Sequence, residues 1–253
     1  QFREELRGIA VDGKDRVHAV GDSSVMVFDG DGRLLKQWET SLPGFSVAVD
    51  GDGRVWVGQW QQVELFDAEG GLVDTGRDPG RLGLITAVGL DADNVFLADA
   101  SARWIHRYDR QGTFLNHIGD KHRKGGFHIP NGTVDFAVDR QGILHVANPG
   151  MHRGERYTAA GELMGHIGRF DGQDPAGFPG CCNPTNLTVD VACRVIVSEK
   201  AGPRAKVYDP DGRLLTVVSD DAFDPAAKNM DLAVDSRGRI YVADTVKLEI
   251  CVF

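Results

Sequence analysis

Adjacent cysteines at Cys181 and Cys182, in the run Gly180-Cys181-Cys182-Asn183-Pro184-Thr185-Asn186, offer the most distinctive chemistry in this chain. Consecutive Cα atoms lie about 3.8 Å apart, below the usual disulfide span, so a bond between the two would close a strained and reducible ring. Three readings are open: a vicinal disulfide used as a rigid knuckle or apolar ligand platform, a thiolate metal site or redox pair, and two ordinary thiols. Cys193 and Cys251 form no CxxC with them and read as free thiols, so a structural zinc site is not expected. Three further groups could do chemistry. Glu199, followed by Lys200 and Arg204, could serve as ligand or general base, with either cation lowering the pKa of a nearby thiol. His122, His128 and His152 could join the thiols as ligands of copper, zinc or iron. Asp135, Asn186 and Asp231 could hold a hard cation such as calcium through oxygen.

A sixfold repeat must position them. The copies read GIAVDGKDRVHAV from Gly8, SVAVDGDGRVWVG from Ser46, AVGLDADNVFLAD from Ala87, DFAVDRQGILHVAN from Asp135, NLTVDVACRVIVSE from Asn186 and DLAVDSRGRIYVAD from Asp231. Their strand-ending aspartates, Asp12, Asp50, Asp91, Asp139, Asp190 and Asp235, are 38, 41, 48, 51 and 45 residues apart, a propeller-blade period. After each pair of strands comes an aromatic-ended strand such as VMVFD or KVYD, then a fourth behind a Gly turn. Short alternating strands with Asp and Gly at the corners are antiparallel hairpins. The expectation is an all-β, six-bladed β-propeller of four-stranded antiparallel blades, one domain over residues 1–253, cut from a longer chain. The last copy stops after its third strand, and the expectation is that the N-terminal segment completes that blade.

Strand direction divides the molecule. Turns between first and second strands, and between third and fourth, share one rim and are tight. The opposite rim receives the long connections, roughly residues 75–86, 120–133, 169–185 and 219–229, which are longer than a turn needs. A binding site is expected there, centred on blades four and five. Bland readings stand beside the sharp ones: Glu199 as a hydrogen-bond partner for backbone, as Asp99 and Asp244 would be at the same repeat position; the histidines as solvated loop residues; Asp135, Asn186 and Asp231 as partners of inner-strand backbone.

The repeat resembles the NHL family of six-bladed propellers over Gly8 to Phe253. Within it, CCNPTN followed by SEK-G-R-KVY, from Cys181 to Tyr208, looks like a sub-pattern of bacterial, exported NHL-type proteins. That resemblance implies a periplasmic or extracellular setting and groups Cys181, Cys182, Asn183, Glu199, Lys200 and Arg204 as a unit, without supplying a mechanism. Six-bladed lactonases look similar in using channel-facing carboxylates and amides, but their full ligand set is not matched here. Propeller amidating lyases place histidines at the starts of inner strands, and no inner strand here begins with His.

Composition trims the alternatives. A net charge of −9 argues against a dominant phosphate-binding surface, so nucleic acid is disfavoured as a partner. No apolar run exceeds strand length, so no membrane-spanning segment is expected. Two function classes remain. The first is an extracytoplasmic propeller binding a small molecule, peptide or partner domain on its long-loop rim, with Cys181, Cys182, Asn183, Asn186, Asp135 and Asp231 at the site. The second is a metal-dependent or redox enzyme on the same rim, using Glu199, Lys200 and Arg204 with the three histidines.

Overall fold

The computed structural model describes residues 2–119, 125–200, 202–218 and 220–253. They form six antiparallel sheets in chain order, five of four strands and a last one of three. The inner strands are Gly8–Val11, Ser46–Val49, Ile85–Leu90, Asp135–Val138, Asn186–Val189 and Leu232–Val234. Each packs against the next and the sixth returns to the first, closing a ring around a channel of about 290 Å³. The fold is a six-bladed β-propeller, as the repeat predicts. Among the described residues no helix is long and apolar enough to cross a membrane.

The tight-turn rim repeats one construction. One oxygen of the strand-ending Asp accepts the backbone N–H groups two and four residues on: Lys14 and Arg16 at Asp12, Asp52 and Arg54 at Asp50, Ala192 and Arg194 at Asp190, Arg237 and Arg239 at Asp235. The Arg at the fourth position then donates to the second oxygen. Asp thus mimics a backbone turn, which is why it ends the strands. Cys193, at φ +58°, stands where other turns place a left-handed Gly, such as Gly53 and Gly238, and is therefore a turn residue. Asp190→Ala is expected to lower unfolding stability by about 1–2 kcal/mol, because two backbone donors and Arg194 lose a charged acceptor. A urea midpoint equal to wild type would show that the backbone alone sets this turn.

Core formation follows from a repeated irregularity. In five blades the pairing of third and fourth strands slips one residue before an aromatic, at Phe28, Phe66, Tyr108, Tyr157 and Tyr208. Such a bulge re-aims the side chain, and Phe66, Tyr157 and Tyr208 are buried against the preceding blade.

The expected closure by an N-terminal strand does not occur. Asp22 collects the backbone N–H groups of Arg3, Glu4 and Glu5, holding the segment over the long-loop rim. Glu5 main chain crosses Gly21, where a Cβ would strike its carbonyl. Phe2 and Leu6 then enter the core between blades six and one, beside Tyr241 and Ala243. The ring is sealed instead by Asp231, whose Oδ2 accepts Ile9 N–H at 2.7 Å, and by Arg239 Nη1 donating to the Gly30 carbonyl at 3.1 Å.

Candidate functional site

At the long-loop end of the channel, side chains at the starts of the inner strands, and Ser198 on the second strand paired with Asn186, stitch one blade to the next. Thr86 Oγ1 donates to the Val134 carbonyl at 2.7 Å, Asp135 Oδ2 accepts Leu187 N–H at 2.8 Å, and Ser198 Oγ donates to the Met230 carbonyl at 2.7 Å. Asp231 does the same for blades six and one, and its Oδ1 also accepts its neighbour's N–H, from Leu232, at 2.9 Å. Backbone satisfaction, the bland reading, therefore describes part of what Asp135 and Asp231 do.

It does not describe all of it. Burial pushes the Asp135 carboxyl well above the usual range, and the charge of Asp231, across the channel from it, pushes the same way. Burial raises Asp231 to about 6, with the bonds from Ile9 and Leu232 opposing. Two carboxylates brought together away from bulk water resist double ionisation. Asn186, on the blade between them, donates to Asp135, while its own Oδ1 is enclosed and accepts nothing. Sequence reasoning passed over Asn131, whose Nδ2 donates to Asn229 Oδ1 at 3.0 Å, tying the loop before blade four to the loop before blade six. Its Oδ1 is a second enclosed acceptor with no donor. Asn186, Asn229 and Asp231 line a cavity of about 350 Å³ together with Glu4, Glu5, Arg7 and Lys228, and Asp231 lines the channel as well.

The cysteine pair lies further out on the same rim. Cys181 is exposed, Cys182 is buried at φ +68°, and their sulfurs are 2.8 Å apart. Asn183 staples the loop: Nδ2 donates to the Pro179 and Lys200 carbonyls, and Oδ1 accepts Lys200 N–H. Burial first, and then Cys181, pushes the Cys182 thiol up; the Lys200 charge opposes without prevailing. Cys182 is therefore held as a thiol, not a thiolate.

Glu199 does not line the mouth. It is enclosed, 1 % exposed, with Arg204 Nε at 2.6 Å from Oε2 and Lys206 Nζ at 2.6 Å from Oε1. Lys206, absent from the sequence reading, is equally buried and donates to the Gly177 carbonyl at 2.6 Å, against the Phe178 ring. This triad pins the loop that carries the cysteines. Asp99 and Asp244, at the matching repeat position, accept loop backbone N–H groups from Gly83 and Asp224.

Of the three histidines, His122 lies outside the described residues. His128 is exposed, its ring against Gly150, and His152 packs edge-on to Phe170 at 4.9 Å. Among the described residues no three His, Cys, Asp or Glu side chains are grouped to hold a metal ion. The oxygen set of Asp135, Asn186 and Asp231 is of a different kind, two carboxylates and an amide. His18 and His145, inside second strands, brace the turn aspartates Asp12 and Asp139.

No family model matches the chain, and no curated protein matches it. Solved structures are similar in fold. A protein of unknown function from Bacteroides thetaiotaomicron aligns over 99% of this chain and 70% of its own, with 17% identity and a TM-score of 0.76. Virginiamycin B lyase from Staphylococcus aureus aligns over 98% of this chain and 84% of its own, with 14% identity and a TM-score of 0.61. The WD40 β-propeller domain of Doa1 aligns over 98% and 78%, with 12% identity and a TM-score of 0.65. At these identities the likeness is one of fold, and function rests on the site itself.

Proposed function

We propose that this chain is an NHL-type binding propeller whose ligand enters the channel mouth on the long-loop rim and presents a cationic group to Asp135, Asn186 and Asp231. The observation that carries this reading is the excess of enclosed acceptors over donors: two carboxylates forced together and two amide oxygens, on Asn186 and Asn131, without a partner. A cation or an ammonium group supplies what is missing, and oxygen-only donors favour calcium over a transition metal. Cys181 and Cys182 form a flanking knuckle of the same rim, in an extracytoplasmic setting where such a pair can be oxidised. The ligand's body is a small molecule, peptide or protein segment resting on the loops.

Calorimetric titration of the whole chain with calcium, and separately with a short alkylammonium salt, tests the reading. One of the two is expected to bind with a single stoichiometry, and Asn186→Ala to weaken it at least about tenfold. Absence of heat with both probes would overturn it. A second reading has one observation in its favour: two carboxyls raised above the usual range, Asp231 to about 6, stand at the same mouth and are suited to acid–base catalysis. The solved lyase of this fold is compatible with it by analogy.

A further inference from the structure

A cavity larger than the one at the channel mouth lies away from the long-loop rim. It is a lateral cleft of about 610 Å³ between blades two and three. One missing side chain opens it. On the fourth strand, the residue paired with the second position of the third strand is Trp38 in blade one, Ile118 in blade three, Ile167 in blade four and Val218 in blade five. Each of these packs into the core it shares with a neighbouring blade. In blade two the paired residue is Gly76, opposite Val63, and a Cβ there would meet nothing nearer than the Val63 carbonyl at 3.8 Å. Among the five four-stranded blades, only blade two lacks the plug.

What the gap exposes is suited to a ligand. Val63 and Leu65 form one wall, Val95 and Leu97 the other, and Leu82 the floor. Tyr108, near the end of its strand, and Arg110, the first residue of the turn after it, both line the cleft. The Tyr108 hydroxyl, on a side chain more than nine-tenths buried, has the Arg81 guanidinium beside it but no acceptor for its own proton, and Arg110 Nη1 makes no hydrogen bond, its nearest anion being Asp50 Oδ2 at 3.9 Å. Arg110 spends its other terminal nitrogen on the Asp91 carbonyl at 2.7 Å and lies over the Trp56 ring. The carboxylates at the lip are engaged: Asp78 by Arg81, Asp109 by Gln111 and Thr113 N–H, Asp52 by Arg54, and the exposed Asp74 by Thr75 N–H. Enclosed polar groups without partners are donors, one of them cationic, so the missing partner is an acceptor. A volume of this size with apolar walls and a few convergent polar groups is that of a small-molecule site.

We infer that the cleft between blades two and three binds a small apolar organic anion, an aryl or alkyl carboxylate or sulfonate, with its body between Val63, Leu65, Val95 and Leu97 and its charge toward Arg110 and Tyr108. This site is independent of the channel mouth. The test uses the whole chain and 8-anilinonaphthalene-1-sulfonate, followed by fluorescence. Saturable one-to-one binding is expected, weakened at least about tenfold in Gly76→Ile and in Arg110→Gln. Gly76→Ile restores the plug of the other blades, so it is also expected to raise the melting temperature, which separates a filled cleft from a damaged fold. Hydrogen exchange with the probe bound is expected to slow in residues 62–66 and 94–98. Unchanged affinity in Gly76→Ile, protection mapping elsewhere, or equal binding of the uncharged anilinonaphthalene would overturn the inference.

Discussion

Replacing Glu199 by alanine is expected to cost the protein about 3–5 kcal/mol of unfolding stability, because it strips the counter-charge from a buried ammonium. Lys206 Nζ has the Glu199 carboxylate at 2.6 Å and the Gly177 carbonyl at 2.6 Å, and the side chain is 1% exposed. Burial already holds its pKa down even with Glu199 present. Without the carboxylate the folded state must keep an unpaired cation inside or release the proton, and release sets the ceiling on the cost. The deficit is therefore expected to shrink as pH rises into the alkaline range, since a depressed Lys pKa means fewer protons bound in the folded state than in the unfolded one. Lys206→Met in the Glu199→Ala background is expected to recover much of the loss. Urea melts at neutral and alkaline pH check all three outcomes. A deficit below about 1 kcal/mol would show that solvent reaches the triad and that Glu199 is free for another role.

The fold was legible because the turn chemistry is local. Asp and the residues two to four after it carry the whole instruction for a tight turn, and Asp50 or Asp235 can be read without knowing anything distant. The polar starts of the inner strands, Asp135, Asn186 and Asp231, were legible for the same reason. What these residues do to one another was not, because Asp135 and Asp231 meet only once the ring has closed. Glu199 shows how spacing misleads: beside Lys200 and Arg204 it reads as a ligand or general base, whereas Lys206, on the adjacent strand, draws it into the blade. Gly76 is the converse case. Its meaning is a missing side chain, and only alignment with the strand partners of Trp38, Ile118, Ile167 and Val218 makes that absence visible.

Asp231→Asn is expected to stabilise the protein at pH 7.5 while weakening the channel mouth as a cation site. In the wild type the folded-state pKa is raised to about 6, whereas the unfolded value is about 3.9. Between those values the folded protein holds more protons than the unfolded chain, so stability is greatest below about pH 4 with respect to this group and falls as pH rises to about 6, then levels. At about 1.4 kcal/mol per unit the full penalty approaches 3 kcal/mol, and partial exposure of Asp231 to the channel reduces it toward 2. An amide at this position keeps an oxygen for the Ile9 or Leu232 N–H and adds no charge against Asp135, so the slope between pH 4 and 6 is expected to flatten. Paired urea titrations of wild type and variant at pH 4, 6 and 7.5 read this directly. A variant less stable than wild type at pH 7.5, with no slope in the wild type, would mean that the carboxylates are well solvated. Where a cation occupies the mouth the balance reverses: adding calcium should raise wild-type stability and leave the variant unmoved, since only the wild type offers both carboxylates. An acid pair at a channel mouth that costs stability when empty and repays it when a cation is bound is what separates a binding site from a structural staple.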